Sequence, residues 1–150
     1  MVGSLMDTSL SRLLSRISIA HRTASEKALS TAGLHAGQAN LLFCLWEKDG
    51  KSQAELTREL CVAPPTVNVL VSKLEKQGLV ISRECPDDGR LKRIHLTEVG
   101  KRKRIEAESV VIRLEDRTLH GLSDIERNTA FLILEKIYAN LVESENDSET

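Results

Sequence analysis

Leu74-Glu75-Lys76-Gln77-Gly78-Leu79-Val80, Asp87-Asp88-Gly89-Arg90 and Leu96-Thr97-Glu98-Val99-Gly100 are three short runs whose reading decides the fold. Gly78 supplies the left-handed residue that stops a helix, and Val80-Ile81 opens a β-branched strand. Pro86 to Arg90 is turn chemistry, because the glycine of Asp-Asp-Gly tolerates positive φ. A return strand is expected over Leu91–Leu96, with Lys92, Ile94 and Leu96 on one face and Leu91, Arg93 and His95 on the other. Thr97 then stands where a helix N-cap belongs. The three runs together describe a helix, a basic hairpin with a tight tip and a second helix. A hairpin of this kind, hung on a helix and tipped with arginine, is a wing suited to a DNA groove.

Upstream of these runs, Leu10, Leu13, Leu14, Ile17, Ala20, His21, Ala24 and Ala28 recur at steps of three and four, which predicts a helix to about Ser30. Gly33 and Gly37 punctuate it. A second helix carries Leu41, Leu42, Leu45 and Trp46 and ends before Asp49-Gly50. Ser52-Gln53-Ala54-Glu55 is a capping box that opens a short helix to about Leu60. Pro64 and Pro65 fit the first turn of the next helix, where a missing N–H costs nothing, and that helix is expected to reach Gln77. Helix 53–60, a turn and helix 64–77 make a helix-turn-helix. Downstream, a long helix is expected from Glu98 to about Leu119. Ser123-Asp124-Ile125-Glu126 caps a last one, with Ala130, Phe131, Leu134, Ile137, Tyr138 and Leu141 on one side.

The formal net charge of −1 conceals a division. Residues 51–104 hold twelve Lys and Arg against seven Asp and Glu, whereas residues 105–150 hold four against eleven. The middle of the chain is therefore the part suited to a polyanion. No apolar run approaches the ~18 residues of a membrane span, and Met1-Val2-Gly3-Ser4 lacks the start of a signal peptide, so a cytoplasmic protein is expected. Cys44, Cys61 and Cys85 form no CxxC pair and have no histidine at ligand spacing, so neither a metal site nor a disulfide framework is expected. His21, His35, His95 and His120 fall in separate elements with no catalytic motif around them, so no enzyme and no cofactor are expected. Phe43, Trp46, Phe131 and Tyr138 all lie inside amphipathic helices, which leaves no platform for stacking single-stranded bases.

With these spacings, the runs at 74–80, 87–90 and 96–100 resemble the MarR family of bacterial winged-helix transcription regulators. The order of elements agrees from about Leu10 to Val142. The fold that the resemblance implies is mainly α with a small β-hairpin wing, as a single domain over 1–150. A winged helix-turn-helix lobe would span about 38–96, and the terminal helices, about 8–30 and 98–142, would make a homodimer. Its partner would be a pseudo-palindromic double-stranded operator, repressed until a small aromatic or phenolic ligand releases the DNA. The family's effector cleft lies between the first-helix region and the lobe, which makes Arg16, His21 and Trp46 the candidates for lining it. Two positions depart from the family pattern: Gly89 and Val69 stand where arginine is common, so the operator cannot be borrowed from a relative.

Residues 64–77 form the expected recognition helix, with Val67, Leu70, Val71 and Leu74 as its buried stripe. Its N-terminal residues would meet base edges in the major groove. Asn68 suits adenine, Thr66 a base or phosphate, and Pro65 and Val69 the thymine methyl; Ser72 and Lys73 complete that face. In the wing, 85–91, Arg90 suits a narrow A·T minor groove, and Asp88 pairs with it in the family. Lys73, Arg83, Lys92 and Arg93 are phosphate candidates that position without specifying. Two alternatives are a cysteine-based redox-sensing regulator and a winged-helix assembly module that binds only protein. The assembly module predicts neither the basic middle nor Arg90. For the redox reading, the acidic neighbour of Cys85 would raise its pKa and slow oxidation.

Overall fold

The computed structural model describes residues 9–85 and 88–146, except the side chains of 88–91 and 143–146. The chain forms two compact units that divide between Leu114 and Glu115. The first contains α1 (Leu10–Ser30), α2 (Ala36–Glu47), β1 (Lys51–Ser52), α3 (Gln53–Leu60), α4 (Pro64–Lys76), β2 (Val80–Cys85), β3 (Asp88–Leu96) and most of α5 (Glu98–Thr118). The second contains the end of α5 and α6 (Asp124–Asn146).

Each boundary has a local cause. Ser52 Oγ accepts from the Glu55 N–H at 3.2 Å, and the Glu55 carboxylate accepts from the Ser52 N–H at 2.7 Å, so the predicted capping box is made in full. Cys61 ends α3 in the left-handed region at φ 51°, the only non-glycine among the described residues to do so. Gly78, at φ 70°, stops α4 as expected. Gly37 differs from expectation. It lies inside α2, where an added Cβ would sit 3.1 Å from Leu70 Cδ2 of α4, so it serves packing and does not punctuate.

The three strands form one antiparallel sheet in the order β1-β3-β2. Val80 pairs with Leu96, Ser82 with Ile94 and Arg83 with Arg93, and the register shifts between Glu84 and Cys85. β3 begins at Asp88, three residues before the expected Leu91, because the pairing resumes across that shift with Cys85 opposite Asp88. β1 was not anticipated. Its two residues pair with Ile94 and Arg93 and brace the wing from the other side.

Leu41, Leu42 and Leu45 of α2, Leu56 of α3, Val67 and Leu74 of α4, and Ile94 of β3 are at most 1% exposed and make the centre of the core. Fully burying side chains of this kind stabilises by about 1.5–3 kcal/mol each. Thr97 and Gly100 lock the start of α5 against this core. Thr97 Oγ1 donates to Gly78 O at 2.6 Å and accepts from the Gly100 N–H at 3.0 Å. A Cβ at Gly100 would lie 1.9 Å from Leu79 O, which only glycine allows.

In the second unit Gly121 turns the chain at φ 82°, and Ser123 and Glu126 cap α6 reciprocally at 2.8 and 3.4 Å. The helix continues to Asn146, four residues past the expected end. Its apolar side chains are not confined to one side: Phe131, Leu132, Ile133 and Leu134 are consecutive and all at least 50% exposed. Among the described residues no helix is long and apolar enough to cross a membrane.

Candidate nucleic-acid interface

The helix-turn-helix is α3, the turn 61–63, and α4. Ala63 is the N-cap of α4, and Pro64 and Pro65 occupy the first turn, where proline's fixed φ suits the helix and its missing N–H removes no bond. Val67, Val71 and Leu74 are buried and Leu70 is half-buried, which anchors α4 in the predicted orientation. Pro65, Thr66, Asn68, Val69, Ser72 and Lys73 are all exposed, and Val69 keeps 53% of its surface in water. A half-exposed valine on the same exposed face as Asn68 and Ser72 leaves apolar surface unburied at a real cost. Asn68 is held from α3, because Gln53 Nε2 donates to its Oδ1.

α4 and the wing root are tied together. The Glu75 carboxylate accepts from the Ser82 N–H at 3.0 Å and from Ser82 Oγ at 2.6 Å, joining the end of α4 to β2. Arg83 and Lys92 are exposed on the strands. Arg93 keeps 42% of its side chain exposed, while its guanidinium donates to Gly50 O at 2.8 Å and approaches Glu55 at 3.4 Å. That arrangement offsets the cost of placing Arg83 opposite Arg93 in the register. Glu55 accepts from the Ser52 N–H and faces Arg93, and the bond from Ser52 is the first reason its pKa lies below the ordinary carboxylate value. The side chains of Asp88 and Arg90, and all of Pro86 and Asp87, lie outside the described residues.

The effector candidates separate. Arg16 and His21 are exposed on α1. Trp46 is half-buried, donates from Nε1 to Gly100 O at 3.0 Å, and meets Phe43 edge-on with ring centroids 5.1 Å apart. It joins α2 to α5. The charges of 101–104 are largely paired within their own helix, Lys101 with Glu98, Lys103 with Glu106 and Arg104 with Glu108.

Sequence reasoning missed Lys51. Its ammonium is paired with Glu59 and its side chain is only 6% exposed. Burial and the Glu59 carboxylate push the Cys44 thiol upward, so little of it is the reactive thiolate at neutral pH. Only tertiary structure brings Cys44, Lys51 and Glu59 together, from α2, β1 and α3.

The family profile that matches this chain is the MarR family's, over residues 34–92, which run from the residue before His35 into β3. A MarR-family transcriptional regulator from Rhodococcus sp. RHA1 superposes with a TM-score of 0.77 at 30% identity, covering 87% of this chain and 95% of that one. The chain belongs to the MarR family. CouR from Rhodococcus jostii RHA1, bound to p-coumaroyl-CoA, is 28% identical with a TM-score of 0.77, over 90% of this chain and 95% of its own. MepR of S. aureus, in complex with DNA, is 25% identical with a TM-score of 0.79, over 88% and 98%. The MarR family's central run gains a physical reading here. Gly78 stops α4, Thr97 caps α5, and Gly100 admits the carbonyl of Leu79.

Proposed function

We propose that this MarR-family chain is a homodimeric, cytoplasmic repressor that binds a pseudo-palindromic double-stranded operator and is released by a small aromatic or phenolic effector. The exposed face of α4 carries the reading: a helix pinned by Val67, Val71 and Leu74 offers Pro65, Thr66, Asn68 and Val69 from its N-terminal half. This is the part of a recognition helix that meets base edges. Asn68 reads adenine, Thr66 a base or phosphate, and Pro65 and Val69 thymine methyls, with Ser72 and Lys73 beside them. Arg83 and Lys92 contact phosphates, and Arg90, directed by Asp88, enters the minor groove. Arg93 assists from the wing root by holding Gly50 and Glu55.

Dimerisation is supported by apolar surface left on the terminal helices. Leu10, Leu13, Ile17 and Ile19 of α1 are each about half exposed or more, as are seven large apolar residues of α6. Uncovered apolar surface costs about 25 cal/mol per Å². Arg16 and His21 lie on the α1 surface that an effector would reach, and Trp46, half-buried on α2, ties that helix to α5. That CouR was crystallised with p-coumaroyl-CoA supports an aromatic acyl effector class.

Selection of bound duplexes from a random DNA pool tests the proposal. Inverted repeats with half-site centres about 10 base pairs apart are expected. Enrichment of single half-sites, or no enrichment, would overturn it. Titration of aromatic acids and their CoA thioesters into the complex then tests release.

A further inference from the structure

We infer that Gln53 is a specificity-determining residue that aims the Asn68 carboxamide at adenine. This rests on the proposed reading of α4. A terminal carboxamide turns broadly about its last torsion, so an unrestrained asparagine presents either its oxygen or its nitrogen to a base. Bidentate pairing with adenine needs one arrangement: the oxygen toward N6–H and an N–H toward N7. Gln53 supplies a restraint in the arrangement seen here, in which its Nε2 donates to Asn68 Oδ1. A carbonyl oxygen has two lone pairs, so one remains for adenine N6–H while the Asn68 amino group remains for N7.

The position of Gln53 is itself set by the core. It is the first residue of α3, directly after Ser52, whose capping box with Glu55 fixes that turn. Leu56 one turn on and Val67 next to Asn68 are both fully buried, so the separation of the two helices is decided beneath the surface. Both carboxamides are exposed and neither supports the core. Arg93 of β3 reaches Glu55 in the same turn, so the wing root steadies the residue that aims the reader.

The test uses the full-length protein and four versions of the selected operator that differ only at the base pair whose preference depends on Asn68. Affinities are measured for the wild type, Asn68→Ala, Gln53→Ala, Gln53→Glu and the double alanine variant. Gln53→Ala should reduce the preference for adenine about tenfold, the lower range for one bidentate contact, and leave the other three sequences and the melting temperature unchanged. Gln53→Glu offers only acceptors and draws the Asn68 amino group toward itself. That places Oδ1 against N7, so adenine should lose its advantage over cytosine. In the Asn68→Ala background, Gln53→Ala should have no base-specific effect. An equal loss on all four operators, or a Gln53 effect that persists without Asn68, would overturn the inference and leave the reading of α4 standing. An Asn68→Ala variant with unaltered preference at every base pair would overturn both.

Discussion

Replacing Glu59 by alanine should destabilise the protein far more than replacing its partner Lys51 by methionine. The two ends of this ion pair sit in different media, with the Lys51 side chain 6% exposed and that of Glu59 41% exposed. Glu59→Ala strands an ammonium group out of water, which costs about 3–5 kcal/mol for a fully buried pair. Because solvent already screens one partner, about 2 kcal/mol is expected here. Lys51→Met keeps the aliphatic stem, removes the buried charge, and returns Glu59 to water, so less than ~1 kcal/mol should be lost. Urea denaturation at fixed protein concentration reads both. With a slope near 2 kcal/mol per M, Glu59→Ala should lower the midpoint by about 1 M. The pH dependence supplies a second check. The hydrogen bond that the Lys51 ammonium donates to the Glu59 carboxylate is the leading cause that raises its pKa above 10.5. A raised lysine contributes stability below its unfolded value and loses it as pH rises through the folded value, so the gap between wild type and Glu59→Ala should narrow at alkaline pH. Equal losses for the two variants, or a gap that widens at alkaline pH, would refute the reasoning.

Gly100→Ala should cost at least about 3 kcal/mol, because a Cβ 1.9 Å from Leu79 O forces backbone to move; a thermal melt within a degree of wild type would show that α5 yields there. Glu55 has a depressed pKa, caused first by the Ser52 N–H, so its contribution is present above the unfolded value and lost as pH falls through the folded one. Between pH 5 and 3, wild-type stability should therefore fall more steeply than that of Glu55→Gln, and parallel curves would remove the argument. Arg83→Ala should reduce the salt dependence of operator affinity by about one unit of log–log slope per lobe and leave stability alone. Arg93→Ala should do the reverse, lowering stability by about 1 kcal/mol after allowance for its partial exposure, as measured by urea midpoint.

What was legible in the chain was what neighbours dictate. The Ser52–Glu55 and Ser123–Glu126 boxes, the stop at Gly78 and the cap at Thr97 each act within one helical turn, and each is made as the sequence implies. The stripe of α4 was readable because a helix packed on one side must repeat its apolar residues. Interactions between distant residues were not readable. A two-residue strand has no period, so β1 was invisible until Ile94 and Arg93 paired with it. Arg93 resembles any wing cation in sequence, and its hold on Gly50 O, 43 residues away, is a tertiary contact. Gln53 was read as the interior of a capping box, and nothing local places it beside Asn68. Gly37 carries the ordinary signal of a turn, although its role is to admit Leu70.

Between the last residue of β3 and the first of α5 stands Thr97 alone, with its hydroxyl bonded on both sides. A joint of one residue has almost no slack, and β3 is pinned just beyond it by the buried Ile94, so strand and helix are held at one angle. The strand arm, Asp88–Leu96, is about 26 Å long at ~3.3 Å per residue. A tilt of only about 5° at Thr97 would carry its far end through roughly 2 Å, about two-thirds of a hydrogen-bond length. The aim of the wing's far end therefore rests on how firmly Thr97 and the buried Ile94 hold its root.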